Sequence, residues 1–430
     1  MGRRTVGMMS RLAVVMLLLA GCSGPEGGDA QGSKPATPAV PINTPTLEPT
    51  ATATLPPPTI IPSPTLSPVP PTSTLAPELS LWTVPAGTPP RAGSFDVYLG
   101  QPDASGNQVL RWLDVSTRQV VTEIRDLSLP AGEAVRAGQY VYLVWTGNLP
   151  MRINTAGAAD LLEFALPPAS AEVYQLLPSA NGHWLSWVYG YQGMFSFFVS
   201  DPDGGGVRLA AVLQAQPDDT IRLLRLTNDG RTLFFDHRPA AVTDTTLFHG
   251  FYDLYALDTA SGVISQLPGE PACGQGLVCD AHISPDGAYL VRALPPATAG
   301  APIVVTNLVT GAVVGRFRPI EIPAGAAFEL GYPFLTPGGE LVFMEAYGPP
   351  GLETYLLGWA NLVTGEQRLI ANLGSNRHRP LGWAGDGFTL LTTREPAFYD
   401  TWQINIRDGQ TRQIAAMLFL GHIDVPVTNP

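Results

Sequence analysis

Ser284-Pro285-Asp286-Gly287-Ala288-Tyr289-Leu290-Val291, followed downstream by Asn307-Leu308-Val309-Thr310-Gly311, is the stretch on which the fold turns. In the first phrase proline presets φ, the aspartate hydrogen-bonds nearby backbone and glycine accepts a positive φ, so a tight turn leads into an apolar strand. In the second, an Asx side chain pins the corner and glycine takes the left-handed position, which makes a compact hairpin. Both phrases recur. Thr227-Asn228-Asp229-Gly230, Thr336-Pro337-Gly338-Gly339, Ala384-Gly385-Asp386-Gly387 and Ser179-Ala180-Asn181-Gly182 are looser copies of the first, and Arg136-Ala137-Gly138 is a fragment of one. Asn361-Leu362-Val363-Thr364-Gly365 repeats the second letter for letter. Asp258-Thr259-Ala260-Ser261-Gly262 and Asn405-Ile406-Arg407-Asp408-Gly409 keep its plan, and Asp114-Val115-Ser116-Thr117-Arg118 lacks the glycine.

The copies return at roughly 45 to 57 residues, a period that fits propeller blades. Phe251-Tyr252-Asp253-Leu254-Tyr255 and Phe398-Tyr399-Asp400-Thr401-Trp402 fall at the same phase. The combination resembles the TolB-type, WD-repeat-like β-propeller family, whose four-stranded blades carry a Ser-Pro-Asp-Gly turn and a later Asp-x-x-Thr-Gly turn. The resemblance runs from Gly93 to the C-terminus and implies an all-β fold of four-stranded antiparallel blades; it implies no activity. TolB has an α/β domain before its propeller that has no room here, so its role in the Tol system is not carried over. Strand-turn-strand units at Phe95–Leu127, Gln139–Leu166, His183–Leu213, Arg231–Leu267, Ala288–Phe317, Glu340–Leu373 and Phe388–Met417 predict seven blades, with six or eight as alternatives because the first two units match poorly. The first unit lacks an inner strand. The apolar tail Leu418 to Val425 is expected to supply it and close the ring, so that no sheet edge is left bare.

The N-terminus gives an address. Arg3, Arg4 and Arg11 precede the apolar run Leu12 to Ala20, too short to span a bilayer and read as a signal-peptide core. Leu19-Ala20-Gly21-Cys22 resembles the bacterial lipobox, which implies cleavage after residue 21 and lipid on Cys22 as the first mature residue. From there to about residue 92, prolines and threonines dominate, as in Pro45-Thr46-Leu47-Glu48-Pro49-Thr50. Proline cannot donate to a ladder, so this segment is expected to be a disordered, extended tether, with a reach on the order of 200 Å. The expected organisation is a signal peptide over 1–21, a lipidated tether over 22–92 and a propeller over 93–430, exported and facing the extracellular or periplasmic side of the cell membrane.

Composition narrows the partners. The net charge is -12 and Lys34 is the sole lysine, so no basic stripe offers itself to nucleic acid or anionic lipid headgroups. The expected partners are the membrane, through Cys22, and a protein or glycan ligand; a monomer is the default, and no cofactor is implied.

Functional residues are harder to find. In a propeller the connections between second and third strands share a face with the connections between blades. Here the former read as long and aromatic: Tyr189 to Phe195, Asp236 to Tyr252, Glu345 to Tyr355, and Thr393 to Phe398. Tyr189, Tyr191, Phe195, His237, His249, Tyr252, Tyr347, Tyr355, Phe398, Tyr399 and Trp402 therefore form a candidate binding rim. The plain alternative is that these aromatics cover the ends of their own blades. Cys273 and Cys279 bracket a short loop, and an exported location favours a disulfide over a metal site. His183, His237, His249, His282, His378 and His422 are scattered; only His237 and His249 share a loop, with Asp236 and Asp244. Asp201-Pro202-Asp203-Gly204-Gly205-Gly206 lacks the later acid of a calcium loop and reads as a hairpin turn. No serine elbow, phosphate loop or His-Glu-x-x-His motif occurs. The sequence thus points to a binding module. A hydrolase or lyase with its site in the central funnel, and a scaffold subunit of an envelope complex, are the alternatives.

Overall fold

The computed structural model describes residues 83–129, 134–240, 242, 247–248, 250–268, 278–294, 303–323, 326–336, 338–384, 386, 388–396 and 398–426. The signal core, Cys22, the Pro/Thr tether up to residue 82, Cys273, Asp244 and His249 lie outside the described residues, whereas 83–92, expected to belong to the tether, are described.

Seven four-stranded antiparallel sheets follow one another around a ring. Blade 1 contains β1 (Gly93–Leu99), β2 (Asn107–Asp114) and β3 (Val120–Ser128). Blade 2 contains β4 (Ala134–Ala137), β5 (Tyr140–Trp145), β6 (Leu149–Asn154) and β7 (Ala159–Leu161). Blade 3 contains β8 (Val173–Pro178), β9 (Leu185–Tyr191), β10 (Met194–Ser200) and β11 (Arg208–Gln214). Blade 4 contains β12 (Thr220–Leu226), β13 (Thr232–Arg238), β14 (Leu254–Asp258) and β15 (Ile264–Gln266). Blade 5 contains β16 (Asp280–Ile283), β17 (Tyr289–Ala293), β18 (Ile303–Asn307) and β19 (Val313–Phe317). Blade 6 contains β20 (Phe328–Leu335), β21 (Glu340–Tyr347), β22 (Thr354–Asn361) and β23 (Gln367–Gly374). Blade 7 contains β24 (Arg377–Trp383), β25 (Thr389–Glu395), β26 (Thr401–Asn405) and β27 (Thr411–Ala415).

The last strand, β28 (Leu418–Val425), returns to blade 1 and pairs antiparallel with β1. It is the inner strand of that blade, and it also touches β4 and β24, the inner strands on either side. The ring is closed by its two ends, as the tail sequence predicts, and β1 has no free edge.

The repeated phrases account for the corners. At three blades the first turn makes the same bonds: the Ser or Thr hydroxyl donates to the Asx two residues on, at 2.7 Å for Ser179–Asn181, 2.6 Å for Thr227–Asp229 and 2.5 Å for Ser284–Asp286. The following glycines, Gly182, Gly230 and Gly287, have φ near +70° (+72°, +69° and +72°). In the second turn the Asx accepts backbone amides in every blade; Asn307 and Asn361 each take those of the residues two and three further on. Arg118, at the glycine position of blade 1, takes φ +58°. The turn geometry therefore persists where its glycine is missing, at a cost in backbone strain.

Apolar side chains from facing sheets fill the wedges between blades. Phe95, Trp112, Met151 and Ile153 pack between blades 1 and 2, Phe197, Leu223 and Phe235 between 3 and 4, and Leu341, Phe343 and Val291 between 5 and 6. Burying each such side chain contributes roughly 1.5–3 kcal/mol.

Strand alternation fixes two unlike faces. The Asx-Gly turns all fall on one, the turn face; the connections between second and third strands, and between blades, fall on the other, the loop face. β1 is a second strand and begins at the turn face, where Gly93 pairs with Val425, so chain entry and exit lie there together. Just before β1, residues 83–92 are bound to the turn of blade 2. Asn154 Nδ2 donates to the carbonyl of Thr88 at 2.7 Å, Thr155 Oγ1 to that of Arg91 at 2.8 Å, and the Gly87 amide reaches Asp160 Oδ1 at 3.3 Å.

Candidate functional site

The expected aromatic rim is dispersed. The segment Tyr189 to Phe195 is not a long loop: β9 and β10 run through it to a two-residue turn, Gln192-Gly193, with φ +49° and +75°. Phe195 is buried between blades 3 and 4, and Tyr189 stacks on Phe198, so both cover their own blade. Tyr191 is exposed beside the turn. His237 lies in β13 with Nε2 at 3.0 Å from Asp219 Oδ2, and the Tyr252 amide donates to Asp236 Oδ1 at 2.9 Å. Tyr347 is half-buried at the end of β21, and Phe398 is half-buried in the connection between β25 and β26. Tyr399 packs on the blade 1 core, and Trp402 Nε1 donates to Asp400 Oδ2 at 2.8 Å beneath the Arg394 guanidinium. Among the described residues, Tyr355, near the start of β22, is the rim residue that the fold brings to a concave site.

That site is an open cleft of about 450 Å³ on the loop face between blades 6 and 7. Its walls come from three connections: Gly351 to Tyr355 of blade 6, Gly374 to Arg377 between the blades, and Glu395-Pro396 of blade 7. Gly351 stands at φ +82° and Gly374 at φ +59°, so both corners need a left-handed residue. Glu353 braces the first corner, its Oε1 accepting the Gly351 amide at 2.8 Å. At the back, Arg377 Nε lies 2.5 Å from Glu395 Oε2, whose side chain is buried. The same guanidinium donates to the carbonyl of Leu247. Leu352 stands at the lip, 77 % exposed.

Behind the cleft lies a buried polar network drawn from four blades. Leu247 and Phe248, sent from the second-to-third-strand connection of blade 4, rest against the inner strands of blades 6 and 7. The Leu247 amide donates to Glu329 Oε2 at 2.7 Å, and the Phe248 ring packs edge-on to Tyr332 (5.0 Å) and Tyr355 (6.5 Å). Gly331 makes room for it, since a Cβ there would meet Phe248 Cγ at 2.1 Å. Tyr332, next in the chain, has φ +48° at an irregularity in the pairing of β20 with β21. Its amide donates to Asp280 Oδ2 of blade 5 at 2.5 Å, and burial followed by the neighbouring Glu395 carboxylate pushes its phenol far above the usual range. Burial pushes Asp280 up to about 7 against the pull of the Tyr332 and Ala281 amides, with Arg379 and Arg222 acting on it from blades 7 and 4.

Neither buried carboxylate can reach a substrate: Asp280 is 4 % exposed and the Glu395 side chain 1 %. No cluster of three metal-ligating side chains exists among the described residues. His282 and His378 are desolvated, which pushes them down to about 3 and about 4 and keeps them neutral. Cys279 is disulfide-bonded, and its backbone pairs with Phe251. Asp201 accepts the amides of Asp203 and Gly205, an ordinary hairpin corner. Arg377, Glu395, Tyr332 and Asp280 escape a reading for motifs because each stands in a strand, and only the ring brings them together.

No family model matches the chain, and no curated protein does. Among solved structures it is similar to oligogalacturonate lyase from Vibrio parahaemolyticus, at 10 % identity and TM-score 0.46 over 76 % of this chain and 86 % of that one. It is similar to TolB from Acinetobacter baumannii at 14 % identity and TM-score 0.37, over 66 % and 64 % of the two chains. The β-propeller domain of the Trilobed protease from Pyrococcus furiosus matches at 11 % identity and TM-score 0.41, over 76 % and 94 %. These proteins differ in activity, and none of their activities is carried over. The assignment as a propeller rests on this chain's own sheet order.

Proposed function

We propose that the chain is an exported, lipid-anchored binding module that holds its loop face away from the membrane and takes its ligand in the cleft between blades 6 and 7. The observation that carries this reading is the opposition of two sites. The segment leading from the tether is bound to the blade 2 turn on the turn face, through Thr88 and Arg91, while the cleft opens on the loop face. A module tethered by the one face leaves the other free to meet a partner. Tyr355, Glu353 and Arg377 supply an apolar edge and fixed polar groups, the mixture that small concave sites use for orientation.

Binding is favoured over a reaction because the carboxylates that converge on Tyr332 are buried behind the cleft wall rather than presented in it. The test is retention from envelope extracts by the full chain. A protein or glycan held by the wild type and lost when Arg377→Ala is introduced supports the reading. Failure to retain any ligand, or turnover of a retained one, overturns it.

A further inference from the structure

We propose that the cleft between blades 6 and 7 recognises a neutral saccharide unit. This rests on the binding reading and names its ligand class. The volume comes first: about 450 Å³ lies within the range of sites that enclose a small molecule, whereas a protein partner needs a broad surface of roughly 800 Å² a side. The polar lining comes second. Arg377 and Glu395 neutralise one another at the back, so the cleft presents no net charge there. Arg377 Nε is ion-paired with Glu395 and Nη1 donates to the Leu247 carbonyl, which leaves its second terminal nitrogen as a donor. Glu353 has one oxygen engaged by Gly351 and the other open as an acceptor. Among the described residues, the hydroxyls of Thr354 and Ser375 on this wall have no hydrogen-bond partner. A donor, a fixed acceptor and two hydroxyls that can do either match adjacent sugar hydroxyls, each of which also both donates and accepts.

The third element is apolar. Leu352, exposed at the lip, lines the cleft together with Pro396 and the buried Tyr355, and this apolar surface would lie along the C–H face of a sugar ring. An anionic ligand is served less well, since Glu353 is the lining charge left without a counter-ion once Arg377 and Glu395 are paired.

The test is calorimetric titration of the full chain with cellobiose, maltose and N,N′-diacetylchitobiose as neutral probes, beside digalacturonate and glucosamine as charged ones. The expected result is binding of at least one neutral disaccharide, weakened about tenfold by Glu353→Gln and by Ser375→Ala, with thermal unfolding unchanged in both variants. Binding of no neutral probe, indifference to both substitutions, or preference for a charged probe overturns the inference. Capture from envelope extracts of a protein whose retention depends on Glu353 also overturns it, and leaves the binding reading standing. Capture of nothing removes both.

Discussion

The amide of Tyr332 donates to Asp280 Oδ2 at 2.5 Å, and this bond ties the inner strand of blade 6 to that of blade 5. A bulky aromatic residue at φ +48° is held in a sparsely populated conformation. Asp280, Glu395 and the Phe248 ring over-determine it. The pairing irregularity between Gly331 and Phe334 leaves Tyr332 beside Phe248 and Glu395, the latter a cleft-lining residue, so these contacts behave as a brace for the binding surface. Asp280→Ala should leave a buried amide unpaired and cost about 1–3 kcal/mol, while Asp280→Asn, which still presents an acceptor, should cost less. Thermal unfolding of the two variants checks the difference; equal losses would contradict the brace.

A second expectation concerns pH. Burial pushes Glu345 up to about 7, with the Ile320 amide pulling the other way. A carboxyl whose folded pKa lies above its unfolded value contributes stability that is fully present below the unfolded value. That contribution is lost as pH rises through about 7. Asp280 behaves alike. The lowered values of His282 and His378 act in the opposite sense, but only as pH falls below the unfolded histidine range. Between pH 6 and 8 the wild type should therefore lose stability, and Glu345→Gln should flatten that slope, with a gain at pH 8 of up to roughly 3 kcal/mol. Melting temperatures across the window decide it.

Ring closure gives a third. Ile423 of β28 is fully buried opposite Phe95 of β1. Ile423→Ala should cost about 2–5 kcal/mol and destabilise the whole domain rather than its tail, which a single cooperative denaturant transition at lower midpoint would register.

The missing glycine of blade 1 gives a fourth, of opposite sign. Arg118 adopts φ +58°, where a side chain costs roughly 1–2 kcal/mol. In its ion pair with Asp96 the guanidinium is largely exposed, so the pair is worth little. Arg118→Gly should stabilise the protein, by less than about 2 kcal/mol, a gain readable from the midpoint of denaturant unfolding.

Fold and site differ in how far the sequence discloses them. The corners are written locally: Ser284, Asp286 and Gly287 make their bonds within a few residues of one another, so the turn can be recognised from its letters. Closure by Leu418 to Val425 is legible for a similar reason, since a first blade short of one strand and an apolar tail long enough to be one are both visible in the chain. The cleft is not local. Glu353, Arg377 and Glu395 come from different blades or connections, and Asp280 and Tyr332 meet through a backbone amide that leaves no trace in side-chain pattern. Aromatic residues misdirect for a physical reason: Phe195 and Tyr189 sit in strands that continue to a two-residue turn, where alternation buries one and stacks the other.

The reading of the loop face as the ligand-bearing surface can be tested most directly by site-specific photo-crosslinking in the lipidated full chain on cells. A photoreactive residue at Leu352, on the cleft lip, and one at Val363, 86 % exposed at a turn-face corner, sample the two sides of the ring. The expected result is a crosslinked ligand from position 352 and none from position 363. Crosslinking from position 363 alone would contradict the proposed orientation and the assignment of the cleft.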